Sequence, residues 1–135
     1  MRTPDRQWPA ELQKKRQALP PRFHDIVADG YRTIHAVSIS RSDSLPLVVF
    51  VHGSPGSADA FLRYLADSLL SDAARLVAMD RPGFGYTAGF GKPEGSLERQ
   101  AYAVHAVIRQ LAPQTKAIMV VHSLCVPVIA RAAMD

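Results

Sequence analysis

The chain has 135 residues, 47% of them hydrophobic and 21% charged, which suits one domain with a modest core. No apolar run approaches the roughly 18 residues of a membrane span, so no integral membrane segment is expected; a single cysteine forms no internal disulfide and fits a cytoplasmic setting. The formal charge of +4 is concentrated in residues 1–23, where six basic residues face two acidic ones, and the neutral remainder argues against a nucleic-acid partner.

Residues 1–22 read as a basic N-terminal arm, bounded by Pro9 and by Pro20-Pro21, with one helix expected from Ala10 to Leu19. Trp8, Leu12 and Leu19 make only a thin apolar stripe, so the arm is expected to be solvated. From Phe23 the signals turn to β. His24–Ala28 and Tyr31–Ile39 flank Asp29-Gly30, a pair that favours a tight hairpin turn. Tyr31, Thr33, His35, Val37 and Ile39 then share one face, with His35 expected as a strand-surface residue.

Leu47–Val51 is a continuous apolar run, as expected of a central strand covered on both faces. It ends in His52-Gly-Ser-Pro-Gly-Ser57, after which Ser57 or Asp59 caps a helix carrying Phe61, Leu62, Leu65, Leu69 and Leu70 at helical spacing. Leu76–Met79 is the next strand and leads into Asp80-Arg-Pro-Gly-Phe-Gly85. Ser96 caps a second helix with Leu97, Ala101, Val104, Ile108 and Leu111 in phase, and Pro113 ends it. The last strand, Ala117–His122, turns at Ser123 into a helix. Strands alternating with helices imply right-handed crossovers and an α/β fold: a mostly parallel sheet with flanking helices and an antiparallel hairpin at its start. Residues 23–135 form that domain.

The loops after the three parallel strands meet at one end of such a sheet, which is where open α/β folds place their chemistry. His52-Gly53, Asp80-Arg-Pro-Gly-Phe-Gly85 and His122-Ser123-Leu124, in that order, resemble the N-terminal part of an α/β-hydrolase, truncated after the nucleophile motif. The resemblance implies that Ser123 is a nucleophile and that the backbone N–H groups of Ser54 and Leu124 form an oxyanion hole. It makes His52, Gly53, Pro55, Gly56 and His122 supporting residues. Asp80 is read as holding the loop after its strand, and Arg81 as a brace. Neither a cofactor nor a metal is implied, because two histidines without a third ligand make a poor zinc site.

Two departures stand out. The nucleophile motif of this family is usually Gly-x-Ser-x-Gly, and Val121 and Cys125 occupy the flanking positions here, so a distorted turn is expected. In the family an acid and then a histidine follow the serine, whereas only twelve residues follow Ser123 and none is a histidine. The expected function is serine-nucleophile hydrolysis of a small ester or related acyl substrate by the full fold, with this chain inactive or weakly active alone. The alternative is a non-catalytic ligand-binding or interaction protein on the same scaffold. An unpaired final strand also points to self-association through its edge.

Overall fold

The structure, a computed structural model, describes residues 2–27, 32–113 and 116–134. Five strands form one sheet: β1 (Arg22–Val27), β2 (Thr33–Ile39), β3 (Leu47–Val51), β4 (Arg75–Met79) and β5 (Ala117–Val121), in the spatial order β1-β2-β4-β3-β5. β2 runs antiparallel to both neighbours, while β3 is parallel to β4 and to β5. Four strands therefore share one direction, and their crossovers carry the helices. The Asp29-Gly30 turn lies outside the described residues.

β3 is the centre of the packing. Leu47, Val49 and Val51 enter the cluster formed with α4 (Leu97–Leu111) and α5 (Val126–Met134), whereas Phe50 enters a second cluster on the opposite face. Alternation of side chains along a strand buried on both sides explains the continuous apolar run. α4 forms as its sequence predicts: the Ser96 hydroxyl accepts from the Arg99 N–H at its start, and Ala101 and Val104 are buried.

Two expectations fail. α1 spans Trp8–Lys14 rather than Ala10–Leu19, and Trp8 and Leu12 are each only 1% exposed. They pack with Val37, Ile39, Phe50 and Leu65, with Leu19 partly buried against the same cluster, so the stripe that looked too thin for docking is docked on the domain. The apolar partners come from distant strands and were invisible to helical periodicity.

The segment after the first loop is not one helix. A 3-10 turn at Ala58–Phe61 runs into α2 (Leu62–Leu65), and α3 (Ser68–Ala73) then starts afresh. The Asp67 carboxylate accepts from the N–H groups of Leu69 and Leu70, capping α3 and redirecting the chain. Leu69 is consequently 79% exposed instead of sharing the core with Leu65.

Candidate active site

Ser123 stands at the corner between β5 and α5 with φ +59°; among the described residues only Arg16 and Ser123 are non-glycine positions with positive φ. A left-handed serine is strained, because its Cβ crowds the backbone, and persists only when its surroundings hold it. Here His122 donates its N–H to Val51 O at 3.3 Å, and a 3-10 turn at Ser123–Cys125 tightens the entry into α5. Ser123 and His122 are exposed, while Cys125 is fully buried.

The corner keeps this shape despite Val121 and Cys125. The Cys125 thiol points inward and donates to His52 O at 2.6 Å, filling the space between the end of β3 and the start of α5. Burial pushes its pKa up, partly opposed by Arg81. It is therefore a packing thiol rather than a second nucleophile.

The loop from His52 lies directly against the corner. A Cβ added at Gly53 would meet His122 Nδ1 at 3.1 Å and Ser123 Cβ at 3.2 Å, so only glycine gives this close an approach without displacement. His52 is buried and donates Nδ1–H to Gly53 O at 2.7 Å, while its Nε2 accepts from the Arg81 N–H at 3.0 Å. Burial, opposed by the Gly53 O hydrogen bond and aided by the nearby Arg81 charge, pulls its pKa down to about 4, so the ring is neutral with its tautomer set by these bonds.

Arg81 braces the loop from below. Its guanidinium donates to His52 O (2.9 Å), Gly53 O (3.0 Å), Ser54 Oγ (2.6 Å) and Gln100 Oε1 (2.8 Å), joining the loop to α4. Gly53 O is thus held by both His52 and Arg81. In a trans peptide the following N–H points the opposite way, so the Ser54 N–H is turned away from those partners. The Ser54–Pro55 bond is cis, and both residues are exposed.

Asp80 ties the same loop to the one after β4. One carboxylate oxygen accepts from the Ala58 N–H at 2.6 Å; the other accepts from the Tyr86 N–H at 2.9 Å and from His35 Nδ1 at 2.8 Å. Gly85 passes so near that an added Cβ would fall 2.1 Å from the Asp80 carboxylate carbon. His35 is therefore not a surface residue: it is buried, and its Nε2 faces Asp5 Oδ1 at 2.7 Å. Burial lowers its pKa, yet the hydrogen bonds and charges of Asp80 and Asp5 more than offset that and raise it overall. Two carboxylates on the two ring nitrogens require both nitrogens to donate, as an imidazolium does. Sequence reading missed this bridge because Asp5, 30 positions away, belongs to a segment expected in solvent.

A family model described as alpha/beta hydrolase fold matches residues 46–134. The chain belongs to that family. Among solved structures it is similar to the Cif epoxide hydrolase from Acinetobacter nosocomialis (TM-score 0.70, 18% identity, covering 100% of this chain and 43% of that one). It is also similar to the epoxide hydrolase VrEH1 from Vigna radiata (TM-score 0.68, 22% identity, 86% and 36%). A third likeness is to a putative lipase from Acinetobacter baumannii AYE (TM-score 0.63, 21% identity, 92% and 39%). The hydrolase fold therefore extends over the whole described chain, which spans less than half the length of each of these structures. No curated protein matches. Among the described residues no helix is long and apolar enough to cross a membrane, and no group of three metal-ligating side chains is present.

Proposed function

We propose that this chain carries the nucleophile and the oxyanion loop of an α/β-hydrolase acting on an ester or related acyl compound. The observation that supports it most is the positive φ of Ser123 at an exposed strand–helix corner, with the Gly53 loop packed against it. A strained turn of this kind lifts a serine hydroxyl out of the backbone, where a base and a substrate carbonyl both reach it. Attack on the carbonyl gives a tetrahedral oxyanion, and the N–H groups of Leu124 and Ser54 stabilise it as charge develops. Collapse expels the alcohol and leaves an acyl-serine, which water then hydrolyses. A serine here, rather than a carboxylate, suits acyl transfer.

The base is supplied by no described residue. His24 bonds Ser38, His35 bonds two carboxylates, His52 bonds Gly53 and Arg81, and His105 bonds Ala132 O. His122 precedes Ser123 directly, and side chains of adjacent residues on a tight turn diverge. The chain alone is thus read as weakly active, with acid and base belonging to the remainder of the family fold.

Hydrolysis of 4-nitrophenyl acetate tests the reading, with imidazole added as an external base. The expected result is an imidazole-stimulated rate about tenfold above that of Ser123→Ala under the same conditions. Equal rates for the two proteins would remove Ser123 from any nucleophilic role.

A further inference from the structure

Beside the oxyanion loop lies a second cavity, of about 310 Å³, walled by Pro55, Gly56, Phe84, Phe90, Pro93 and Arg2. Its walls are two aromatic rings, two prolines and glycine backbone. The one charge among them is the guanidinium of Arg2, carried in by the N-terminal segment.

That segment is fixed in place by several independent contacts. Arg2 donates to Gly85 O at 2.7 Å and lies over the rings of Phe90 (3.9 Å) and Tyr86 (4.5 Å). Thr3 donates to Asp59, Asp5 pairs with His35, and Trp8 is buried. The opposite wall is equally well tied: the Gly91 N–H donates to Gly83 O at 2.9 Å, and Arg32 donates to Lys92 O at 2.6 Å. The cavity is therefore formed before any ligand arrives, which lowers the cost of binding.

Arg2 is exposed, and among the described residues no carboxylate lies within 4 Å of it. A guanidinium with one donor committed to Gly85 O keeps a planar set of N–H groups for a two-pronged contact with a carboxylate. Stacking on Phe90 and Tyr86 already restrains it, so little side-chain freedom remains to be lost. A cavity of about 150 Å³ holds a benzene ring, so this one has room for a ring with a short chain.

We propose that this cavity is a binding site for a small apolar carboxylate, with an aromatic or branched body between Phe84, Phe90 and the Pro55-Gly56 turn, and its anionic end on Arg2. Its use as a subsite, selecting esters whose apolar part bears a second, free carboxylate, rests on the nucleophile reading of Ser123. Its binding chemistry does not.

Titration of the full chain with phenylacetate and with its neutral analogue phenylacetamide tests the site, followed by calorimetry and backbone amide shifts. Phenylacetate is expected to bind about fivefold tighter than the amide at low salt, with shifts centred on Gly83–Gly91. Arg2→Gln is expected to erase that preference, and Phe90→Ala to weaken both ligands; both residues are exposed, so the fold survives, as circular dichroism will verify. Ser123→Ala is expected to leave both affinities unchanged. Equal affinities in the wild type, no binding of either compound, a preference that persists in Arg2→Gln, or shifts centred on Arg22 and Arg75 at the far end of the sheet would each overturn the proposal. Loss of binding alongside Ser123-dependent ester turnover would discard the subsite and keep the nucleophile.

Discussion

The two sides of the candidate site are built differently. On the β4 side, Asp80 and Arg81 are buried and heavily hydrogen-bonded, and they tie the 53–58 and 80–87 loops together. On the β5 side, Ser123 and His122 are exposed, and β5 ends the sheet with Ile118 58% and Val120 36% exposed. The N–H of Cys125 reaches His122 O only at 3.5 Å. Rigidity is therefore invested in the loop proposed to supply oxyanion N–H groups, and the corner at Ser123 is left open toward solvent. In physical terms an oxyanion site works by being preorganised, whereas a nucleophile has to be approached.

Removing the anchor on the closed side should have the largest effect. Asp80→Ala leaves the N–H groups of Ala58 and Tyr86 unpaired and takes away one of the two carboxylates on the His35 ring, leaving only Asp5, and about 3–5 kcal/mol of stability is expected to go. Urea unfolding measures it. A loss below about 1 kcal/mol would mean that the two loops are held by something else, and the contrast between the sides would disappear.

The same side should make stability depend on pH in two opposite windows. His52 has a folded pKa depressed to about 4 from 6.5, so its contribution is complete above 6.5 and is lost as pH falls toward 4. That loss amounts to about 3 kcal/mol, since each pKa unit is worth about 1.4. His35 has a raised folded pKa, so its contribution is complete below 6.5 and is lost as pH climbs through the raised value. Maximal stability is expected near pH 6.5, and His35→Gln should flatten the alkaline limb alone. A profile unchanged by His35→Gln would show that the Asp5–His35–Asp80 bridge does not hold a charge.

How much of this was legible in the sequence follows from the range of the interactions. The strand–helix corner at Ser123 and the helix α4 were readable because their signals are local: an apolar run broken by serine, and a capped stripe repeating every three or four residues. The break at Asp67 was missed because side-chain capping competes with periodicity, and a count of leucines favours continuity. The buried roles of Trp8 and His35 were missed because each is made by partners far along the chain, Phe50 and Leu65 for one, Asp5 and Asp80 for the other. The accommodation of Cys125 was missed for a related reason: its room is set by the end of β3, which the nucleophile motif does not mention.

On the open side, the outer edge of β5 pairs with no strand among the described residues, and it is expected to pair with the same edge of a second copy. Val120→Lys is expected to weaken self-association about tenfold in sedimentation equilibrium, with little change in the unfolding free energy. A wild-type chain that stays monomeric at high concentration would show that the β5 edge is already protected.

The smallest effect concerns the corner itself, and its sign matters more than its size. A left-handed conformation costs an ordinary residue about 1–2 kcal/mol, and glycine escapes that cost while loosening the unfolded chain by about 0.5–1. Ser123→Gly should therefore stabilise the fold slightly, by up to about 1 kcal/mol, whereas Ser123→Ala keeps the strain and should be nearly neutral. If glycine instead destabilises, the serine hydroxyl contributes to holding the turn, and the corner would be a structural cap. If glycine stabilises while the serine-dependent ester turnover vanishes, the fold carries strain at Ser123 that only the chemistry of its hydroxyl repays.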